Sequence, residues 1–312
     1  MEVLIIGAGV SGLTCGVVLA EAGHRVRIWA RDRTPRTTSD VAAAVWYPLR
    51  GERDERVERW VPVSFERFCV LPPEAGVIRR GGVELFRSRV DDVWWRDVLP
   101  GFRHARRDEL PPDFVDGFVS EGLPVIEMPI YLPWLEARFA SLGGMIEQRA
   151  LSSLDHALTA AEVVVNCSGL GARELCGDVA LHPVRGQVVR VRRFGLERFI
   201  FDEEDPAGVV YILPRSRDVV LGGTRHAGSD SLAIDEKLER DIIERCAVLE
   251  PRVLDAEIVS RAVGLRPGRP SVRLELEQRA DGLIIHDYGH GGSGVTLSWG
   301  CAEEVRALLG RT

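Results

Sequence analysis

The amino-terminal segment constrains the fold most strongly, because it joins an apolar run to a glycine-rich turn. Val3 to Ile6 are apolar, and Gly7, Gly9 and Gly12 follow them in a G-x-G-x-x-G pattern. The first glycine permits a tight turn, the second lets a pyrophosphate approach the backbone, and the third lets the next helix pack on the strand. The pattern predicts a βαβ unit that binds a dinucleotide.

A helix and a second strand complete this unit. The sequence predicts a helix from Ser11 to Ala22, closed by Gly23, and a strand from Arg25 to Trp29. Arg31 and Asp32 follow, where an acidic side chain binds the adenosine ribose, but an arginine there also suits a 2′-phosphate. The motif alone therefore leaves FAD and NAD(P) open. The expected dinucleotide contacts are Gly7, Ala8, Gly9, Val10, Ser11, Gly12, Arg31 and Asp32.

Composition narrows the class of protein. The 312 residues allow two domains, and a formal net charge of −7 argues against nucleic acid as the main partner. The six cysteines form no C-x-x-C pair, which predicts buried free thiols and no metal site, although a single disulfide stays open. No apolar run reaches the roughly 18–20 residues that span a bilayer. With no signal peptide evident, we expect a cytoplasmic protein without a membrane partner.

Hydroxyl and small side chains follow the second strand. Thr37, Thr38 and Ser39 offer groups that suit phosphate oxygens, and the alanines up to Ala44 would let a flat ring lie against the backbone. Alternatively, Ser39 or Asp40 caps a short helix. Both interpretations hold together, because a capped helix amino terminus also binds anions.

Two later segments resemble the ends of strands in an open α/β sheet. The strand Glu162–Asn166 leads into the turn Cys167–Ala172, and the strand Leu283–His286 leads into the glycine-rich loop Asp287–Thr296 and a helix from Leu297. Ligands bind where such parallel strands end. Because these segments lie far apart, the sequence predicts two domains that alternate along the chain.

Periodicity and turn residues predict the remaining elements. A surface helix is expected from Gly51 to about Glu74 with Trp60, Phe65 and Phe68 inward, and further helices at 132–142 and 236–249. Strands are expected at 81–86, 125–129, 145–151 and 187–192, with a hairpin of 209–214 and 218–224. Val263 to Pro270 is expected to be a rigid segment that carries arginines.

Four motifs together resemble the D-amino-acid oxidase family over nearly the whole chain: Thr37–Ala43, Asn166–Gly169, Gly264–Pro267 and Tyr288–Thr296. The resemblance implies FAD as the cofactor and an α/β fold, in which a Rossmann-like FAD-binding domain is interleaved with a mixed-sheet α+β substrate domain. It places the FAD-binding domain at residues 1–50, 130–178 and 264–312. The substrate-binding domain takes residues 51–129 and 179–263.

The resemblance also assigns roles to residues. Arg266 would bind the substrate α-carboxylate through its planar fork, supported by the Tyr211 hydroxyl, and the Gly292 carbonyl would accept from the amine. From the residues alone, a structural ion pair for Arg266 and a core position for Tyr211 stay open. The implied cofactor contacts are Thr37, Thr38, Ser39, Ala43, Ala44, Val45, Leu151, Ser168, Arg266, His290, Gly291, Gly292, Ser293, Gly294, Val295 and Thr296, with His290 beside the flavin rather than acting as a base.

Val45, Tyr47 and Leu213 are expected to line the side-chain pocket. None is cationic, which favours apolar substrates, although Arg215, Arg217 and Arg225 lie near in sequence. Many relatives carry a lid tyrosine at the position of Ala207. Its absence, in the short acidic segment Asp202–Gly208, puts a lid in doubt.

The predicted activity is FAD-dependent oxidative deamination of neutral or apolar D-amino acids to 2-oxo acids, ammonia and hydrogen peroxide. The resemblance implies that hydride would pass from Cα to flavin N5 with O₂ as the acceptor, and that no side chain would act as general acid or base. D-aspartate oxidase and glycine oxidase are the alternatives. A nicotinamide-dependent dehydrogenase and a non-catalytic FAD-binding module are more distant ones. Self-association into a homo-oligomer stays open.

Overall fold

The computed structural model describes residues 1–48, 54–91 and 93–310. The first residues of the predicted surface helix, 51–53, and the predicted domain boundary at 50/51 lie outside this described part. The chain forms two β-sheets with helices packed against them.

The strands, in chain order, are β1 (Glu2–Ile6), β2 (Arg25–Ala30), β3 (Val77–Phe86), β4 (Arg103–His104), β5 (Asp116–Ile126), β6 (Met145–Gln148), β7 (Val163–Asn166), β8 (His182–Arg192), β9 (Phe199–Asp202), β10 (Val210–Pro214), β11 (Asp218–Gly222), β12 (His226–Ala227), β13 (Ile258–Gly268), β14 (Arg273–Arg279) and β15 (Gly282–Tyr288).

The α-helices are α1 (Val10–Glu21), α2 (Thr38–Val41), α3 (Glu55–Val70), α4 (Met128–Ser141), α5 (Leu154–Leu158), α6 (Ala172–Leu175), α7 (Glu236–Leu249) and α8 (Gly294–Leu309). None of these described helices has the length and apolarity that crossing a membrane requires.

The first sheet has six strands in the order β14-β15-β7-β1-β2-β6. All neighbours are parallel except β14, which runs antiparallel to β15. Strand β1 lies between β7 and β2, and Val3 to Ile6 are buried, as their apolar sequence predicts. Helix α1 packs against α4 and α8 beside this sheet. The carboxyl ends of β1, β7 and β15 therefore meet at one edge.

The second sheet has nine strands in the order β12-β8-β11-β10-β9-β3-β5-β4, with β13 also paired to β8. It is mixed, because β3 and β9 are parallel while the other pairs are antiparallel. Its strands fall between those of the first sheet along the chain, so the predicted fold class is confirmed. The predicted domain boundaries stay a prediction. Strand β13 runs across one of them, at position 263/264.

Several element predictions are confirmed and others are wrong. Helix α7 has the predicted bounds, and Trp60, Phe65 and Phe68 are buried on α3. Met128 and Pro129 open α4 instead of closing a strand, because proline suits the first turn of a helix. Helix α8 begins at Gly294, not Leu297.

The rigid segment expected at 263–270 is largely the end of strand β13. This strand pairs with β8 from Ile258 to Gly268, and Pro267 lies opposite Pro183. Proline is tolerated there because, among the described strands, β13 pairs only with β8 and therefore forms an edge. The pairing of β13 with β8 therefore overrides the local preference of glycine and proline against a strand.

Helix α8 contacts α3 through a glycine. A Cβ atom added to Gly300 would lie 2.3 Å from the Trp60 carbonyl oxygen and 2.4 Å from its Cα. Both are backbone atoms, so the two helices would have to move apart to accept the methyl group.

We expect Gly300→Ala to lower the free energy of unfolding by about 1–3 kcal/mol, because overpacking outweighs the roughly 1 kcal/mol by which alanine favours a helix. Urea unfolding followed by circular dichroism measures the change. Gly310→Ala is the matched control, since its added Cβ would meet nothing nearer than 3.6 Å. Equal stability of the two variants would contradict the close packing of α3 and α8.

Candidate active site

A cavity of about 1010 Å³ lies at the carboxyl edge of the first sheet and extends to the second sheet. This volume is at the upper end of the roughly 300–1,000 Å³ typical of ligand pockets, as a dinucleotide with a small substrate requires. Every site residue predicted from the sequence lines it except Gly12. These residues are Gly7, Ala8, Gly9, Val10, Ser11, Arg31, Asp32, Thr37, Thr38, Ser39, Ala43, Ala44, Val45, Tyr47, Leu151, Ser168, Tyr211, Leu213, Arg266, His290, Gly291, Gly292, Ser293, Gly294, Val295 and Thr296.

The glycine-rich turn has the geometry that its three glycines imply. Gly7 has a φ of +109°, which other residues rarely adopt, and its N–H donates to the Trp29 carbonyl at 2.8 Å. A Cβ added to Gly12 would lie 1.9 Å from the Gly7 carbonyl oxygen. Gly12 therefore acts by letting α1 pack on the turn rather than by lining the cavity.

The hydroxyl segment is joined to this turn by a hydrogen bond. The Val10 N–H donates to Ser39 Oγ at 3.0 Å, which leaves the Ser39 hydroxyl hydrogen available as a donor. The predicted cap at Ser39 or Asp40 is wrong, because Thr37 is the N-cap of α2. Asp40 instead accepts from the Thr37 N–H at 2.8 Å and from its hydroxyl at 2.6 Å.

Two further pairs shape the cofactor end. Arg31 Nε donates to Asp32 Oδ2 at 2.8 Å, with the Arg31 side chain 80% exposed, so Asp32 is the more enclosed of the two at the end of β2. The Ser168 N–H and hydroxyl both donate to Asn166 Oδ1, at 3.2 and 2.6 Å. This fixes the turn that follows β7.

A buried carboxylate lies under the carboxy-terminal glycine loop. Asp287 Oδ1 is 3.1 Å from His290 Nε2, and Oδ2 accepts from the thiols of Cys15 at 3.5 Å and Cys167 at 3.7 Å. Burial raises the pKa of Cys167 to about 11, so this thiol stays protonated and can donate. All six cysteines are free. His290 Nε2 and Asp287 Oδ1 lie close but make no hydrogen bond, so the position of His290 beside the cofactor stays a prediction.

Arg266 presents its guanidinium to the cavity. Its Nη1 donates to the Thr224 carbonyl at 3.0 Å, and among the described residues no carboxylate lies within ion-pair distance of it. The structural ion pair that the sequence left open is therefore not found in this part of the chain. A Cβ on Gly186 would lie 2.2 Å from Arg266 Nη1, so this glycine makes room for the group. Burial lowers the pKa of Arg266, yet a guanidinium stays charged in proteins.

Tyr211 occupies a similar glycine-made space. Cβ atoms on Gly222 and Gly223 would lie 2.1 Å from its Cζ and 2.6 Å from its Cε1. Burial raises the pKa of Tyr211, so its hydroxyl remains a donor at neutral pH. Within the described ranges no side chain or backbone group pairs with that hydroxyl. Gly292 lies close to Arg266, since a Cβ added to Gly292 would have Arg266 Cδ as its nearest neighbour, at 3.8 Å.

Of the three arginines near the expected side-chain pocket, only Arg225 lines the cavity. Arg215 is buried elsewhere, where it donates to both Asp218 oxygens at 2.7 and 2.6 Å and to the Ala43 carbonyl at 2.9 Å. Tyr47, which does line the cavity, donates its hydroxyl to the buried Glu84 carboxylate.

Sequence reasoning missed several residues of this cavity. Gly186, Glu203 and Thr224 belong to the second sheet or its connections, and Arg149 stacks over Trp29 with 3.9 Å between Cζ and the ring centroid. The pair Gly222 and Gly223 at the end of β11 was a usable signal, because adjacent glycines leave room for a large side chain to pack against the backbone. Glu203 carried no signal, because an acidic residue in a loop is ordinary.

Comparison with known proteins agrees with this geometry. The family described as FAD dependent oxidoreductase matches residues 2–308. A D-amino-acid oxidase from Rubrobacter xylanophilus is 51% identical over 98% of this chain and 95% of its own. The chain belongs to the D-amino-acid oxidase family of FAD-dependent oxidoreductases.

This family also contains a relative with a different substrate in its name, the human D-aspartate oxidase. It is 38% identical over 99% of this chain and 94% of its own. Among solved structures, glycine oxidase from Geobacillus kaustophilus has a TM-score of 0.81 at 22% identity, and covers 99% of this chain and 94% of its own. That likeness shows the fold alone.

The residues fit FAD, the cofactor of this oxidoreductase family. The Gly7–Gly12 turn leaves backbone space for the pyrophosphate, with Ser39 beside it, and Asp32 stands at the end of β2, where an acid binds the ribose. The loop from His290 to Thr296 opens helix α8 on the other side of the cavity, at a helix amino terminus that favours an electron-rich ring edge.

We expect Gly12→Ala to weaken FAD binding about tenfold or more, because the methyl group must displace the Gly7 carbonyl that shapes the turn. Titration of apoprotein with FAD, followed by absorbance, measures the affinity. Gly122→Ala is the control, since an added Cβ there meets nothing within 4 Å. If the Gly12 variant bound FAD with wild-type affinity, the close approach of Gly12 to the Gly7 carbonyl would not be needed for the cofactor site.

Proposed function

We propose that this protein catalyses FAD-dependent oxidative deamination of neutral and apolar D-amino acids to 2-oxo acids, ammonia and hydrogen peroxide. The observation that carries the proposal is the Arg266 guanidinium, which faces the same cavity as the dinucleotide-binding turn and has no carboxylate partner among the described residues. A substrate carboxylate supplies the missing charge. The 51% identity to a D-amino-acid oxidase supports the same assignment.

Three groups orient the substrate in this proposal. Arg266 binds the α-carboxylate in a bidentate, charge-assisted contact, and the protonated Tyr211 hydroxyl donates to the same group. The Gly292 carbonyl accepts from the α-amine. These anchors lie together because β10, β13 and the loop before α8 all reach the cavity.

Orientation by these anchors determines stereochemistry. FAD bound at the Gly7–Gly12 turn and the loop before α8 would supply the two-electron oxidation of the substrate at Cα, with O₂ as the final acceptor. With carboxylate and amine fixed, only one enantiomer directs its hydrogen to the cofactor and its side chain to the pocket. His290 lies beside Asp287, and in this proposal no side chain acts as general acid or base.

The pocket walls favour apolar side chains over D-aspartate. Val45, Leu213 and Phe201 line the cavity, and Tyr47 directs its hydroxyl to Glu84. Arg215 is neutralised by Asp218 and does not line the cavity. The cytoplasmic location stays a prediction from the sequence, and self-association into a homo-oligomer stays open.

Replacement of the carboxylate anchor tests its role. We expect Arg266→Lys to lower kcat/KM for D-valine about 30-fold or more, because lysine cannot form the planar two-bond contact. Arg261→Lys is the control on the same strand, because the half-exposed Arg261 pairs with Glu239 and does not line the cavity. Oxygen consumption measures both variants. Similar rates in the two would remove Arg266 from the substrate site.

The reaction class and stereochemistry have a direct spectroscopic test. We expect the purified protein to show the two visible bands of oxidised flavin, and D-valine without oxygen to bleach them while L-valine does not, since the anchors fix one enantiomer. Bleaching by neither would favour glycine oxidase, D-aspartate oxidase or a non-catalytic flavin module. A colourless protein, inactive after addition of FAD, would contradict the proposal.

A further inference from the structure

An ion pair stands at the substrate end of the cavity. Arg225 Nη2 lies 3.2 Å from Glu203 Oε1, and both residues line the cavity that contains Arg266 and Tyr211. Arg225 directly follows Thr224, whose carbonyl accepts from Arg266. The backbone that carries Arg225 is therefore directly connected to the residue that Arg266 contacts.

The segment that carries Glu203 is held on both sides. Asp202 is buried and pairs with Arg87 at 2.7 Å. At the other end Arg245 donates to the Ala207 carbonyl at 2.9 Å and to the Gly223 carbonyl at 3.2 Å. These contacts hold the backbone of the segment that carries Glu203 next to Arg225.

Arg225 is a second positive charge at this end of the cavity. After burial, its repulsion contributes to lowering the pKa of Arg266, so its field reaches the carboxylate anchor. Its side chain is 48% exposed and that of Glu203 26%, which makes the pair weak and accessible to ligands. Among the described residues, Glu203 is the one carboxylate within ion-pair distance of Arg225.

We propose that Glu203 is a specificity-determining residue that masks Arg225 and thereby disfavours amino acids with an acidic side chain. This inference rests on the proposed function. A neutral amino acid brings one carboxylate, which Arg266 takes. The second carboxylate of D-aspartate would need Arg225 but meets the negative charge of Glu203, so it is repelled from the cation that would otherwise bind it.

The test is Glu203→Gln, which keeps the shape of the side chain and removes its charge. We expect the ratio of kcat/KM for D-aspartate to that for D-valine to rise roughly fivefold or more, because an exposed charge pair is replaced by an unmasked arginine. The gain should shrink between about 0.02 and 0.5 M salt, as screening weakens the attraction.

Two controls separate masking from a general change of charge. Glu204→Gln removes the same charge one residue away, does not line the cavity, and should leave the ratio unchanged. The double variant Glu203→Gln/Arg225→Gln should lose the gain, because no cation remains to attract the acidic side chain. An unchanged ratio in Glu203→Gln, or a gain that persists without Arg225, overturns the proposal.

Ligand binding distinguishes this inference from the proposed function. Succinate and isovalerate are the deaminated analogues of D-aspartate and D-valine, and their binding to the holoenzyme is read from perturbation of the flavin spectrum. Glu203→Gln should tighten succinate relative to isovalerate roughly fivefold. If D-valine is not oxidised but this shift occurs, the proposed reaction fails and masking stands. If D-valine is oxidised and neither ratio shifts, masking alone fails.

Discussion

Parallel pairing around β1 brings together chain segments that are far apart in sequence. Strand β1 lies between β2 and β7, and β15 adds beyond β7. The glycine turn after β1, the serine turn after β7 and the glycine loop after β15 thus converge at one edge. Because the loops that follow parallel strands all lie at the same edge of the sheet, the parallel pairing of these strands forms the cofactor site. Gly7 and Gly12 keep that register compatible with close helix packing.

The substrate end of the cavity depends on glycines in the second sheet. Gly186 leaves the volume that the Arg266 guanidinium fills, and Gly222 does the same for the Tyr211 ring. A partly buried guanidinium without a carboxylate is unfavourable for folding unless other groups compensate it. The hydrogen bond from Arg266 to the Thr224 carbonyl is modest, so much of the electrostatic compensation is left to a ligand. That arrangement suits a binding site better than a structural position.

Much of the fold and of the site could be predicted from the sequence, because their residues carry local signals. The apolar run before Gly7 predicts β1, and the spacing of glycines predicts the turn, since both depend on neighbours in sequence. Strand β13 was not predicted, because its pairing with β8 is non-local and overrides the glycine and proline content around Pro267. The cap of α2 was placed wrongly, because Thr37 and Ser39 are both good N-caps. The capping box between Thr37 and Asp40 assigns the cap to Thr37, and Ser39 instead accepts from the Val10 N–H.

The charges around the substrate end show why a residue list alone leaves substrate preference open. Arg215 lies four residues after Tyr211, and Arg225 lies three residues after Gly222, the cross-strand partner of Tyr211. Arg215 is neutralised by Asp218 and does not line the cavity, whereas Arg225 faces it. What Arg225 attracts then depends on Glu203, a residue from a separate connection. Because attraction and repulsion act on the same side-chain carboxylate, selectivity here is set by the difference between two nearby charges rather than by the presence of either.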